Sequence, residues 1–237
     1  MASTSGTSTF NLNLNDIVEE AFERCGGELR TGYDLRTARR SLNLLTIEWA
    51  NRGINLWTID EGTIPLVAGQ AEYGMPVDTI DILDHVVRTQ TGQGQTDINI
   101  SRISVDTYST IPNKNAQGRP IQLWYRRLSG QDEGGGAIQY PTINVWPVPD
   151  QSNYYTLVVW RLRRIQDAGG GVNIQDIPFR FLPCMVAGLA YHMSLKIPEA
   201  SDRIPMLKAM YDELWQQAAD EDREKAPLRI APRQMFY

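Results

Sequence analysis

Apolar residues recur at intervals of three and four positions near both ends of the chain, which is typical of amphipathic helices. Near the N-terminus this pattern predicts one helix over 15–25 and a second over about 33–51. Near the C-terminus it predicts a third helix from about Pro178 to Pro198 and a fourth over about 201–225. Together the two helix pairs predict a four-helix bundle.

Signals for helix ends support the first and third of these helices. Asn15 or Asp16 is the predicted N-cap of the first helix, because a short polar side chain there can accept a hydrogen bond from a free backbone N–H. Gly26 and Gly27 end the pattern, and glycine commonly terminates a helix. Pro178 suits the first turn of the third helix, since the missing proline N–H would have no partner there.

Between the helix pairs the apolar residues alternate with polar ones, which is typical of half-buried strands. Proline and glycine punctuate these runs and mark turns between them. We predict strands over 54–59, 80–89, 97–103, 121–128, 137–148 and 154–165. They predict an antiparallel β-sandwich or barrel, inserted between the two helix pairs.

The predicted fold class is therefore α+β, and the chain divides into an arm, two domains and a tail. Residues 1–12, rich in serine and threonine, form a flexible N-terminal arm. Residues 13–55 and 178–226 form a discontinuous helical bundle, and residues 56–177 form the antiparallel β-domain. Residues 227–237 form an extended C-terminal tail.

Composition narrows the classes of function. Hydrophobic residues make up 42% of the 237 residues, which is enough for a packed core. The net charge of -5 argues against a protein that grips nucleic acid through its overall field. No apolar run reaches the roughly 20 residues that span a bilayer, and the N-terminus has no signal-peptide pattern. We expect a protein made in a cytoplasm-like compartment or in a particle assembled there.

Residues suited to catalysis are few. His85 and His192 are the only histidines, so their number rules out a His-rich metal centre. We expect His192 at a helix interface and His85 on a strand surface. Cys25 and Cys184 are expected to be buried free thiols, because neither belongs to a Cys-x-x-Cys pair. We predict no enzyme activity, cofactor or metal site, although a hydrolase that uses two carboxylates stays open.

Two glycine clusters, 134–136 and 169–171, resemble phosphate-binding loops only in composition. Neither continues into the Gly-Lys-Ser/Thr sequence of a P-loop, and neither directly precedes a helical pattern. We predict that both are flexible hairpin loops.

Arginine clusters and aromatic residues indicate protein contacts. Arg36, Arg39 and Arg40 lie within one turn of the second predicted helix, and a further cluster at 161–164 ends the last predicted strand. These arginines can form ion pairs within the chain, pair with acids across a subunit interface, or bind DNA phosphates. In a chain this acidic we favour a subunit interface, and we assign to it Arg36, Arg39, Arg40 and Trp215.

Three stretches of the N-terminal region resemble the opening helix pair of podovirus head-to-tail adaptors, the tail tubular protein A-like connector family. They are DIVEEAFERCG at 16–26, LRTARRSLNLL at 35–45 and EWANRGINLW at 48–57. Two later stretches, INVWPVPD at 143–150 and YTLVVWR at 155–161, are similar to the β-domain hairpin of the same family. The resemblance thus covers both the predicted bundle and the predicted β-domain.

This resemblance implies a virion structural protein that forms a ring of about twelve copies under the portal protein. The ring links the portal to the tail nozzle, and double-stranded DNA passes through its lumen without specific binding. In this family a C-terminal segment lies along the portal surface. Carried onto this chain, the portal contact falls on Leu228, Ile230, Met235, Phe236 and Tyr237.

Two other functions remain open from the sequence. Some adaptors of short-tailed phages attack peptidoglycan, so an adaptor with peptidoglycan hydrolase activity is one alternative. The other is an isolated β-sandwich module that binds a carbohydrate or a peptide, although such a module needs no flanking helices. The acidic balance agrees best with a conduit, because an acidic ring wall repels the DNA backbone and lets it slide.

Overall fold

A computed structural model describes residues 4–27, 32–53, 56–90, 94–128 and 140–222. The described residues form two compact units. The helical unit consists of those within Met1–Trp57 and Ile165–Tyr237, and the β-unit of those within Thr58–Arg164.

The regular elements confirm the α+β class. The helices are α1 (Leu14–Cys25), α2 (Gly32–Asn51), α3 (Val105–Ser109), α4 (Leu182–Ser194) and α5 (Ile204–Glu221). The strands are β1 (Ile59–Pro65), β2 (Glu72–Gly74), β3 (Thr79–Thr89), β4 (Thr96–Asn99), β5 (Ser101–Arg102), β6 (Gln122–Arg126), β7 (Thr142–Trp146) and β8 (Tyr155–Arg163). Short 3-10 turns occupy Leu56–Thr58, Phe179–Phe181 and Pro198–Arg203.

The start of α1 differs from the prediction. Asn13 is the N-cap, and the predicted caps Asn15 and Asp16 are wrong. The Asn13 side chain accepts a hydrogen bond from the Asp16 N–H (3.1 Å), and the Asp16 carboxylate accepts one from the Asn13 N–H (3.1 Å). This reciprocal pair satisfies backbone donors that have no partner within the helix. Gly26 ends α1, as the sequence predicts, and it does so in the left-handed conformation.

The core of the helical unit is built around α4, which packs against α1, α2 and α5. Contacts between α1 and α2 are much fewer than the contacts that each makes with α4. Gly188 permits this close packing, since an added Cβ would lie 2.9 Å from Leu45 Cδ2 and 2.9 Å from Tyr211 Cε2. Because nearly all of α4 is buried, the surface of this unit is supplied mainly by the other helices.

Pro183 and Pro205 lie in the first turns of α4 and α5, whereas Pro178, which the sequence predicts in such a position, does not. Pro178 precedes the 3-10 turn Phe179–Phe181, and Pro183 occupies the first turn of α4. The predicted first-turn position of Pro178 is therefore wrong. α5 follows a second 3-10 turn and begins at Ile204.

Residues 165–177 pack with the helical unit, although the sequence analysis placed them in the β-domain. Ile165 and Ala168 belong to the helical core. The Gly171 carbonyl accepts a hydrogen bond from the Asn15 N–H (3.0 Å), which satisfies a donor at the start of α1. The cluster 169–171 is thus a turn against α1, and its predicted role as a hairpin loop is wrong. The cluster 134–136 lies outside the described residues.

The β-unit is a sandwich of two four-stranded sheets. The strand orders are β1-β8-β3-β4 and β2-β7-β6-β5, and of these pairs only β5 with β6 is parallel. Leu157 of the first sheet and Leu123 of the second are fully buried in one shared core. Side chains from both inner faces therefore fill the space between the sheets, as the sandwich prediction requires.

The predicted strands agree with the structure where apolar and polar residues alternate strongly, and they fail where this alternation is weak. The runs 121–128, 137–148 and 154–165 contain β6, β7 and β8, and the run 80–89 covers all of β3 except its first residue, Thr79. The predicted strand 54–59 is wrong, because Leu56–Thr58 is a 3-10 turn and β1 starts at Ile59. The predicted strand 97–103 is divided into β4 and β5. β2 and α3 have no predicted counterpart, because both are too short to show a period in the sequence.

Candidate functional site

The predicted interface arginines lie on the exposed side of α2. Arg36, Arg39 and Arg40 are all exposed. Arg39 Nε donates a hydrogen bond to the Ala168 carbonyl (2.7 Å). Within the described segments, Arg36 and Arg40 have neither an ion pair nor a hydrogen bond from their side chains. Like charges on adjacent turns repel, so this surface favours an acidic partner.

Apolar residues continue the same side of α2. Tyr33 is 64% exposed, Leu44 is 59% exposed and Ile47 is 39% exposed. With Arg36 and Arg40 they succeed one another at steps of three and four, so all five share one side of the helix. The buried side of α2 carries Ala38, Leu42, Leu45 and Trp49. We call the exposed set of Tyr33, Arg36, Arg40, Leu44 and Ile47 the α2 ridge.

A groove of about 500 Å³ lies between α1 and the start of α4. Its apolar lining includes Leu182 and Val186, which are buried. Its acidic lining includes Glu19 and Glu23, which are exposed. The complete lining is Phe10, Leu12, Asp16, Glu19, Glu20, Glu23, Arg24, Leu182, Pro183 and Val186. We call this the α1 groove, and its four carboxylates against one guanidinium give it a negative charge.

A second cavity, of about 480 Å³, lies beside the ridge. Its lining includes Tyr33, Arg40, Leu44 and Lys196. Lys196 Nζ donates to Ser41 Oγ (2.6 Å). Burial lowers the pKa of Lys196, and the nearby Arg40 lowers it further. The positive charges of Lys196 and Arg40 therefore destabilise each other. An acidic group on a partner protein would relieve this repulsion.

Trp215, the fourth predicted interface residue, lies in the core of the helical unit and is only 7% exposed. Its ring centroid is 5.3 Å from that of Trp49. The Arg52 guanidinium carbon lies 4.7 Å from the Trp215 ring centroid, and Arg52 also pairs with Glu48 at 2.5 Å. The ring thus contacts its own chain, and its role at a subunit interface stays a prediction.

A polar cluster ties α2, α4 and α5 together. His192 Nε2 lies 3.3 Å from Glu48 Oε2, and the Tyr211 hydroxyl donates to Glu48 Oε1 (3.2 Å). The same hydroxyl accepts a hydrogen bond from Trp49 Nε1 (3.0 Å). Burial raises the pKa of Cys184 to about 12 and also raises the pKa of Tyr211. Both groups are protonated at neutral pH, so neither supplies a nucleophilic anion there.

The arginine cluster at the end of β8 is paired within the β-unit. Arg161 contacts Asp78 (2.7 Å) and Asp60 (3.2 Å), and Arg163 contacts Asp60 (3.2 Å). The Arg161 side chain is only 13% exposed. Of the three explanations that the sequence left open, ion pairing within the chain applies to these two arginines.

His85 on β3 is half-buried and not simply a surface residue. Its Nε2 lies 3.0 Å from the Ile100 carbonyl oxygen. Burial lowers the pKa of His85, although the hydrogen bond to Ile100 and the charge of Asp84 act in the opposite direction. The neutral ring is therefore the favoured form in the folded protein.

The predicted portal-binding residues Leu228, Ile230, Met235, Phe236 and Tyr237 lie outside the described residues. In the described segments, no three His, Cys, Asp or Glu side chains are grouped as metal ligands would be. No described helix has the length and apolar character needed to cross a bilayer.

The apolar part of the α2 ridge and all of the α1 groove were not predicted from the sequence. Tyr33, Leu44 and Ile47 form a second apolar stripe, opposite the buried one, and this stripe is visible in the sequence once two stripes are sought. The groove has no comparable signal. Its lining combines residues of α1 with Leu182 and Val186 of α4, which are far apart in the chain.

Comparison with known proteins identifies the family. The sequence matches the family described as SU10 adaptor protein over residues 12–231. Because this match covers most of the chain, the chain belongs to that phage adaptor family, which is structural rather than enzymatic. The narrower resemblance to podovirus tail tubular protein A-like connectors stays a prediction. No curated protein matches the chain.

Proposed function

We propose that this chain is one subunit of a head-to-tail adaptor ring that docks under the portal protein and is joined at its other end to the tail nozzle. The match to the phage adaptor family over residues 12–231 carries the proposal. A closed ring of about twelve copies requires each subunit to contact a neighbour on either side. The exposed Arg36, Arg39 and Arg40 support such a contact, because they have no described acidic partner in their own chain.

The C-terminal tail is our candidate for the portal contact. Leu228, Ile230, Met235, Phe236 and Tyr237 are apolar or aromatic, and such side chains anchor protein interfaces when they enter pockets on a partner. The proposal for these residues rests on their chemistry and on the family resemblance.

Passage of double-stranded DNA through the ring requires weak binding. Each phosphate that a protein neutralises adds affinity, which would slow ejection. The net charge of -5 per chain supports a lumen that DNA traverses without specific contacts. We place the protein in the virion neck, assembled in the host cytoplasm.

The direct test mixes the purified chain with portal-bearing, DNA-filled heads and counts bound copies by particle mass or cryo-imaging. We expect a complete ring on each portal. Replacement of Leu228, Ile230, Met235, Phe236 and Tyr237 by serine should abolish binding, because the apolar anchors are lost.

A matched control changes only polar residues of the same tail. Replacement of Arg229, Arg233 and Gln234 by serine should leave ring formation intact, since it keeps all of the proposed anchors. Failure of the intact chain to bind heads would contradict the adaptor function. Full binding by the variant that lacks the five apolar tail residues would contradict the tail contact but not the adaptor function.

A further inference from the structure

The α2 ridge is an exposed surface with the chemistry of a protein interface. A helix on a protein surface normally turns one apolar stripe to the core and a polar side to water. α2 departs from this rule, because Leu44 and Ile47 lie on its exposed side, with Tyr33 on the same side near the start of the helix. Tyrosine and arginine are enriched at interfaces, and both are present on this ridge.

The α1 groove has the complementary chemistry. Its buried apolar lining, Leu182 and Val186, can receive apolar side chains, and its exposed acids can receive guanidinium groups. Glu20 is already paired with Arg24 (2.9 Å). In the part of the chain that the structure describes, Glu19 and Glu23 have no ion pair, so both carboxylates are available to a partner.

The charged residues of the two surfaces also match in spacing. Arg36 and Arg40 are four residues apart on α2, and Glu19 and Glu23 are four residues apart on α1. Each pair therefore spans roughly 6 Å along its helix axis. If α2 of one copy packs beside α1 of another, both arginines can pair with both glutamates at once. The apolar residues of the ridge and the groove can then contact each other in the same interface.

We infer that the α2 ridge of one copy docks in the α1 groove of the next, with Arg36 and Arg40 facing Glu19 and Glu23. The inference rests on the proposed ring and names its subunit contact. No residue belongs to both surfaces, so one copy can offer its ridge to one neighbour and its groove to the other. Such head-to-tail contacts between two different surfaces are the kind that generate rings.

A second copy fits the ridge better than DNA does. Phosphates would use Arg36 and Arg40 but would leave Leu44 and Ile47 in water, where apolar side chains gain nothing. The groove satisfies both kinds of side chain. Its acidic residues would also repel a phosphate backbone from the same ring.

The test exchanges the charges of the two surfaces. One variant carries Arg36→Glu and Arg40→Glu, and the other carries Glu19→Arg and Glu23→Arg. Alone, each variant faces like charges at every contact, so we expect the concentration for half-assembly to rise at least about 100-fold. Mixed in equal amounts, the two variants have complementary charges at every contact and should assemble again. Sedimentation velocity, with and without purified portal, measures the assembly.

A matched control carries Arg119→Glu and Arg126→Glu, two exposed arginines of the β-unit that lie on neither surface. This control changes the net charge as much as the ridge variant does and should assemble as the native chain does. Circular dichroism of every variant verifies that the fold is retained. Added salt should weaken assembly of the native chain, because the ion pairs are partly exposed.

The outcomes separate the inference from the proposed function. Assembly of the native chain that neither charge variant disturbs would overturn the inference and leave the ring function in place. Loss of assembly in both variants without recovery in the mixture would overturn the pairing of these two surfaces. A native chain that stays monomeric both alone and with portal would overturn the ring and the inference together.

Discussion

Arginines on the strands β3 and β8 are paired with acids, whereas those on α2 have no acidic partner among the described residues. In the β-unit, Arg161 is paired with Asp60 and Asp78, and Arg88 forms two hydrogen bonds with Asp97 (2.8 and 2.9 Å). In the helical unit, Arg36 has no such partner among the described residues. Arg161 and Arg88 therefore have their ionic contacts within the β-unit, whereas Arg36 is available for contact with another protein. This contrast is the strongest structural support for a subunit contact on α2.

The largest effect should come from the aromatic core that holds α2 in place. Trp49→Ala removes a fully buried ring, 5.5 Å from Phe181 between centroids, and its hydrogen bond to Tyr211. We expect the free energy of unfolding of the helical unit to fall by about 3–5 kcal/mol. Denaturant unfolding followed by circular dichroism measures this. The control Trp124→Ala removes a half-buried ring of the β-unit and should lower the free energy of unfolding clearly less. Equal losses would contradict the role of Trp49 in holding α2 in place.

The next effect tests the ion pairs of the β-unit. Arg161→Met removes a side chain that is 13% exposed and leaves Asp78 without this partner. We expect a loss of about 1–2 kcal/mol in the free energy of unfolding, because the exposure of the two carboxylates reduces the cost. Arg36→Met is the matched control on α2. The stability of this variant should not change, since the substitution breaks no described contact. An equal loss there would remove the contrast between the arginines of β8 and those of α2.

Sequence patterns revealed the fold more completely than the candidate site. Strong periods located α1, α2, α4 and α5, because helix faces are repeated over several turns. Weak signals failed at β1, where Gly62 and charged residues hide the strand pattern, and at 169–171, where the role of a turn depends on α1. The arginines of α2 were identified because charge is visible in a sequence. The α1 groove was not, since it exists only when α1 packs against α4.

Acid should destabilise the β-unit through His85. The pKa of His85 is lowered from 6.5 in the folded protein, mainly by burial. The unfolded state therefore binds the proton more readily, and stability falls as the pH drops below about 6.5. His85→Gln keeps a donor for the Ile100 carbonyl but cannot be protonated. Its melting temperature should fall less than that of the native chain between about pH 7.5 and about pH 5.5, and an equal fall would contradict this account.

The smallest effect concerns the charge that α2 leaves unpaired. Arg40 lowers the pKa of Lys196, and burial lowers it more. Arg40→Gln should therefore raise the Lys196 pKa slightly, yet keep it below 10.5, because burial remains. An NMR titration of the lysine side-chain signals measures this shift.

Arg36→Gln is the control and should change the Lys196 pKa less, because Arg36 does not line the cavity beside Lys196. Equal shifts would mean that Lys196 responds to the whole ridge, whereas no shift would contradict repulsion between Arg40 and Lys196. A rise in the Lys196 pKa with Arg40→Gln alone would show that the repulsion is between Arg40 and Lys196. An acidic residue of a neighbouring subunit could relieve that repulsion.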